Sequence, residues 1–309
     1  MKRFPAVFVD DAMADSLMAV LWSLLSAMMF AGTFILVKLG RRTVTTVATL
    51  WITLSFNVVI LWTWSLTIQP VEFSRWWEWR YFALAGLFAP LLGRLFQFIG
   101  MARLGANITT PITLTHPLVT VLIAVLILSE PVTLTKLVGG VLVLVGSLAV
   151  GSQGTSATSL TSVLGDRQRR YLWFPVAASL AYGISVVFRK VGIDLGTDAV
   201  TASAVTTSAS WVVVTLFVTL RWQWQRIRCS ALELGYLAAA GVLSSLGPVF
   251  FYLALQQGEL IVVAPLAATT PLFVLLATWV LSREGELFSR TVLTGTLVTV
   301  IGVSLMTAF

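Results

Sequence analysis

The chain of 309 residues is 58% hydrophobic and only 11% charged, with a mean hydropathy of +0.93, which excludes an ordinary soluble domain and marks an integral membrane protein. The formal charge of +7 does not indicate nucleic acid, because the basic residues fall in short connections between apolar runs, where they report topology. A single histidine and a single cysteine, Cys229, exclude a His-rich or thiolate metal centre and an internal disulfide, and no cofactor is expected.

The opening MKRFPAVFVDDAMADS starts basic, but Asp10 and Asp11 interrupt any signal-like apolar core, so the first apolar segment is expected to stay as a helix. From there, apolar stretches recur that are long enough to cross roughly 30 Å of hydrocarbon at about 1.5 Å per residue. The punctuation between them predicts ten spans, near 17–38, 45–66, 80–102, 106–128, 134–151, 171–190, 199–220, 234–257, 260–281 and 291–308. The stretch 151–170, rich in Gly, Ser and Thr, reads as a linker. It divides the chain into five-helix units at 17–151 and 171–308, with 152–170 between them.

Lys38 closes the first span and Lys190 the sixth; such basic stems either snorkel to the interface or gate a substrate path. SRWWEWRYF, residues 74–82, reads as an interfacial aromatic belt at the start of the third span. Arg94 lies in the middle of that span. An arginine there costs from about 2.5 to 3.5 kcal/mol on insertion scales to roughly 10 to 17 kcal/mol on an isolated helix, so it must face protein or water. Gln97 and Met101 share its helix face. Two readings stand: a structural arginine that caps carbonyls or pairs with a loop acid, and a binding group that faces a central cavity.

The fourth span carries PITLTHP, in which Pro111 and Pro117 interrupt helical hydrogen bonding around His116. His116 either binds substrate or carries a proton, or is a neutral histidine bonded to a neighbouring helix. Asn107, Tyr182 and Tyr252, with Trp51 and Asn57, are further candidates to line a cavity, against the alternative that they pack between helices. No Asp or Glu stands at the centre of any span. An arginine at mid-membrane without a protein counter-charge predicts a substrate with a carboxylate or other anionic group.

The two halves repeat. Pro111 and Pro265, Pro117 and Pro271, and Glu130 and Glu284 are each separated by 154 residues; Gly139 and Gly295, and Gly146 and Gly302, by 156; Lys38 and Lys190 by 152. An ordered series of this kind marks a duplication. An odd number of spans per repeat turns the second copy upside down, which places a binding site near the midplane between the repeats. The paired prolines would then act as hinges for rocking, or as static kinks, and the paired glycines would permit close helix packing, with self-association as one use.

FAGTFILVK and YGISVVFRK, the Pro-x5-Pro helices, and LSEPVTLTKLVGGVLVLVGSL after the fourth span resemble the EamA-like family of the drug/metabolite transporter superfamily. The second copy, LSREGELFSRTVLTGTLVTVIGVSL, departs from that pattern at Arg283 and in a longer turn. The resemblance implies a ten-helix, all-α transporter of small metabolites or amino acids in the cytoplasmic membrane, without ATP hydrolysis. It also implies termini inside, whereas seven basic residues on the terminal side against twelve on the other place them outside by the positive-inside rule. No P-loop and no G-x-S-x-G setting is present, so neither an ATP-driven pump nor an enzyme is supported. The alternative is a non-transporting membrane sensor or assembly subunit on the same scaffold.

Overall fold

The computed structural model describes residues 7–40, 43–68, 71, 73–104, 109, 112–151, 170–221, 229–282 and 290–307, and every regular element among them is helical. In hydrocarbon each backbone N–H and C=O needs a partner within its own segment, and a helix supplies it. Helices α1 (Val7–Gly40) and α2 (Thr46–Ile68) come first. A 3-10 segment at Phe73–Glu78, α3 (Trp79–Gly86), a π-helical segment at Leu87–Gly93 and α4 (Arg94–Leu104) follow. Next are α5 (His116–Ile127), α6 (Leu134–Gly151), α7 (Trp173–Asp194), α8 (Ala199–Leu220) and α9 (Ala231–Gln257). The chain closes with α10 (Leu260–Ala267), α11 (Thr270–Ser282) and α12 (Arg290–Thr307). Five stretches, Asp15–Gly40, Thr46–Ile68, Trp173–Asp194, Ala199–Leu220 and Ala231–Gln257, are long and apolar enough to cross a membrane unbroken.

The remaining apolar runs are helical but shorter or interrupted, and the interruptions have local causes. In the third run Pro90 lies inside the π segment and lacks the N–H that would reach Gly86 O in an α-helix. Ser210 Oγ on α8 donates to that carbonyl at 2.8 Å, and Ser185 Oγ on α7 donates to Ala85 O at 2.8 Å. The loosened turn is thus fastened from outside by two serines.

The proline-flanked helices break at equivalent places. A turn at Leu114 and Thr115 precedes α5, and a turn at Ala268 and Thr269, 154 residues on, separates α10 from α11. Thr115 Oγ1 donates to Ile112 O at 2.6 Å, and its counterpart Thr269 Oγ1 to Leu266 O at 2.7 Å. Pro117 and Pro271 each remove the donor for the carbonyl four residues back. The residue before each proline takes over: His116 Nδ1 lies 3.2 Å from Thr113 O, and Thr270 Oγ1 donates to Ala267 O at 3.0 Å.

Small residues set the packing. The first turns of α8, from Ala199 to Thr207, are buried throughout, and Ala, Ser and Thr there let α3 and α9 come close. A methyl group at Gly86 would fall on Thr206 O and within 3.2 Å of Ala209 Cβ. Gly86→Ala is therefore expected to push α3 off α8 against a backbone carbonyl that cannot rotate away, at a cost of about 1 to 3 kcal/mol. A thermal melt in detergent checks this, and an unchanged midpoint would contradict the close contact. The glycines of α6 and α12 serve each other: a methyl at Gly302 would lie 2.7 Å from Gly139 O, and one at Gly146 would lie 2.7 Å from Thr299 N.

Polar groups tie sequence-distant elements together. Glu130 follows a left-handed Ser129 (φ 54°), and its carboxylate accepts from Leu260 N at 2.9 Å and Ile261 N at 3.0 Å. It thereby caps α10, where the helix dipole favours a negative charge. Beside it Lys136 Nζ pairs with Glu259 at 2.6 Å. At the other end of α9, Glu233 accepts from Thr43 N at 2.8 Å and Ser230 N at 2.9 Å. Between them Asn57 is buried; with its amide turned to satisfy both ends, it donates to Gly241 O at 2.6 Å and Thr53 O at 3.0 Å and accepts from Ser244 Oγ at 3.1 Å. Asn57 thus joins α2 to α9.

Candidate functional site

Arg94 is the first residue of α4, directly after the π segment, and an insertion of this kind often marks a functional position. Gly93, just before it, leaves the space in which the Tyr182 ring of α7 sits: a methyl there would lie 2.8 Å from Tyr182 Cε1. The Tyr182 hydroxyl donates to Gln97 Oε1 at 3.0 Å, and the Arg94 guanidinium lies close enough for its charge to act on the same hydroxyl. The His116 ring lies beside that of Tyr182, with centroids 5.7 Å apart. Helix α5 reaches α7 here because Gly183 gives room to Val119, while Thr115 Oγ1 and Ser179 Oγ lie 3.1 Å apart.

Four residues named from sequence, Arg94, Gln97, His116 and Tyr182, therefore meet, and all four are partly buried. Among the described residues no carboxylate pairs with Arg94. With Tyr182 donating to the Gln97 oxygen, the Gln97 amide nitrogen keeps its own N–H groups. The cluster is rich in donors and carries a fixed positive charge, the complement of an oxyanion. A carbonyl only accepts, so His116 must carry its proton on Nδ1 to bond Thr113 O, and its Nε2 is left as an acceptor.

The repeat supplies the control for His116. Threonine holds the matching position, so His116→Thr should keep the bond to residue 113, while His116→Ala should lose about 1 kcal/mol. Thermal melts separate the two variants, and equal destabilisation would contradict this role.

Other candidates lie elsewhere. Tyr252 is fully buried, its hydroxyl 2.6 Å from Thr206 Oγ1 and its ring edge-on to Phe82 at 5.6 Å. Lys190 pairs with Asp194 at 2.8 Å and donates to Leu255 O at 2.9 Å. Lys38 is exposed in the last turn of α1. Pro117 and Pro265 are buried, and Pro271 is half-buried beside the break before α11. Trp51 Nε1 donates to Thr215 Oγ1 at 3.0 Å, between α2 and α8. Asn107, Pro111, Glu284 and the linker 152–169 lie outside the described residues. A cavity of about 390 Å³ around Thr43, Cys229 and Glu233 contains none of the four clustered residues. Sequence reading missed the π segment at Pro90, the cap that Glu130 forms on α10, and the burial of Arg189, which lies in a basic pair near the end of a span.

Residues 17–152 and 169–308 each match the EamA-like transporter family. One solved crystal structure superimposes with a TM-score of 0.76 over 94% of this chain and 98% of its own, at 14% identity, a likeness of fold. No curated protein matches the sequence.

Proposed function

Because the chain belongs to the EamA-like transporter family, we propose that it is a secondary transporter that moves a small polar metabolite bearing a carboxylate or similar anionic group across the cytoplasmic membrane by alternating access. The observation that carries this reading is Arg94: a guanidinium beside Gln97, Tyr182 and His116 with no carboxylate paired to it among the described residues. A substrate carboxylate can take two parallel N–H bonds from the guanidinium and a further one from Gln97.

In this reading the chain crosses the membrane ten times, as two inverted five-helix repeats at 17–151 and 171–308. The helical breaks 154 residues apart support the duplication. Arg94 corresponds to Pro248 and His116 to Thr270 in the second copy. These two polar residues thus have no like counterpart in the second repeat, as expected of substrate chemistry placed on a symmetric scaffold. Rocking would turn on the broken helices around Thr115 and Thr269, where the side chains of His116 and Thr270 already replace the backbone bonds lost at Pro117 and Pro271. His116 Nε2 is the proton carrier in this account if transport is coupled to protons.

Counterflow tests the reading. Liposomes containing the purified protein and loaded with an unlabelled carboxylate should transiently accumulate the labelled compound. Folded protein that binds carboxylates but gives no counterflow would overturn the transporter reading in favour of a sensor or assembly subunit.

A further inference from the structure

Arg189 lies on α7 seven residues beyond Tyr182 and is 8% exposed. At about 3.6 residues per turn the two side chains leave the same face of the helix, roughly 10.5 Å apart along its axis. The Arg189 guanidinium carbon lies 5.8 Å from the Phe251 ring centroid and 5.4 Å from that of Tyr252. These rings attract the cation through their π faces, which offsets part of the cost of burial. They do not satisfy its five N–H donors, which point outward in the guanidinium plane.

Among the described residues, no carboxylate pairs with Arg189 and no oxygen accepts from its nitrogens; Nε is buried with no hydrogen-bond partner. The Tyr252 hydroxyl gives its proton to Thr206 Oγ1, whose own goes to Ala202 O, and its oxygen takes no hydrogen bond from Arg189. The adjacent lysine is different: Lys190 is held by Asp194 and by Leu255 O. A largely buried guanidinium whose Nε has neither counter-charge nor acceptor is unfavourable. Its retention calls for an anion that comes and goes.

We propose that Arg189, in its aromatic cage, is a second anion-binding point on the substrate route, lying between the Arg94 site and the membrane face at which α7 ends. This rests on the transporter reading and extends it. A carboxylate that leaves Arg94 moves along one face of α7 and meets a second guanidinium after about two turns, so the route offers a partner at both stages. The ligand class is a small carboxylate, bound through the in-plane N–H groups while the rings cover the cation's face.

The test is phenylglyoxal labelling of the wild-type protein in detergent, read by peptide mass spectrometry, with acetate or succinate present and chloride at matched ionic strength as control. Arg189 should react, and either carboxylate should slow its labelling several-fold while leaving exposed Arg221 unaffected. Arg189 that stays inert, or that is labelled equally with and without carboxylate, would overturn the proposal. In Arg189→Gln, with folding confirmed by its melt, carboxylates should still protect Arg94 from labelling while counterflow slows. Unchanged counterflow would remove Arg189 from the route. Protection of Arg189 without any wild-type counterflow would retain the anion site and reject only the transporter reading, so the two failures are distinguishable.

Discussion

Arg94→Gln is expected to abolish carboxylate counterflow while leaving the protein folded. Glutamine keeps a polar side chain at the head of α4 but removes the charge and the fork of parallel donors that a carboxylate needs. Losing one member of a desolvated charge pair costs about 2 to 5 kcal/mol, roughly 30-fold to several-thousand-fold in affinity. The fold should survive, because the Tyr182 to Gln97 bond and the seat at Gly93 do not require the guanidinium. Arg94→Lys should fall between, since it keeps the charge and loses the two-point geometry. Counterflow and a melt on the same preparations check both variants. Full activity in Arg94→Gln would contradict the proposed role, and unfolding of that variant would indicate a structural arginine.

Glu130→Ala is expected to give the largest loss of stability among the variants considered. The carboxylate receives the first free N–H groups of α10, one on each oxygen, at 2.9 and 3.0 Å. Hydrogen bonds to a charged group contribute about 1.5 to 3 kcal/mol each, and the helix N-terminus adds a further fraction through its dipole. Removing both leaves two amides without their partner and loosens the contact between the turn after α5 and the start of α10. The expected loss is therefore about 3 kcal/mol or more. Glu130→Gln should show a smaller loss, because one carbonyl oxygen still accepts. The melting midpoint is the measurement, and an alanine variant that matches wild type would show that the cap contributes nothing.

The helices were legible because apolar length alone dictates them in a membrane, and the repeat was legible because Pro117, Pro271 and their neighbours recur at a fixed separation. The breaks at Thr115 and Thr269 stand at that same separation. Arg94 and Gln97 could be paired from sequence because they share one helix face. Their meeting with Tyr182 was not readable as a contact, since it depends on α7 crossing the third run at Gly93. The π segment was hidden for the same reason: Pro90 frees a carbonyl, but only the distant Ser210 shows how it is satisfied. Arg189 looked like a flanking charge beside Lys190, and its burial is decided by Phe251 and Tyr252 on α9. Tyr252 and Asn57 show the limit of the pattern, for an apolar run does not reveal which polar side chains turn toward a cavity and which join two helices.

The most direct test of charge recognition is counterflow of a carboxylate beside its own primary amide, compared in wild type and Arg94→Gln. The pair has nearly the same shape and differs in the negative charge. The account predicts that wild type moves the carboxylate and not the amide, and that the variant loses this discrimination. Equal movement of both compounds by wild type, or a preference that survives in Arg94→Gln, would contradict it.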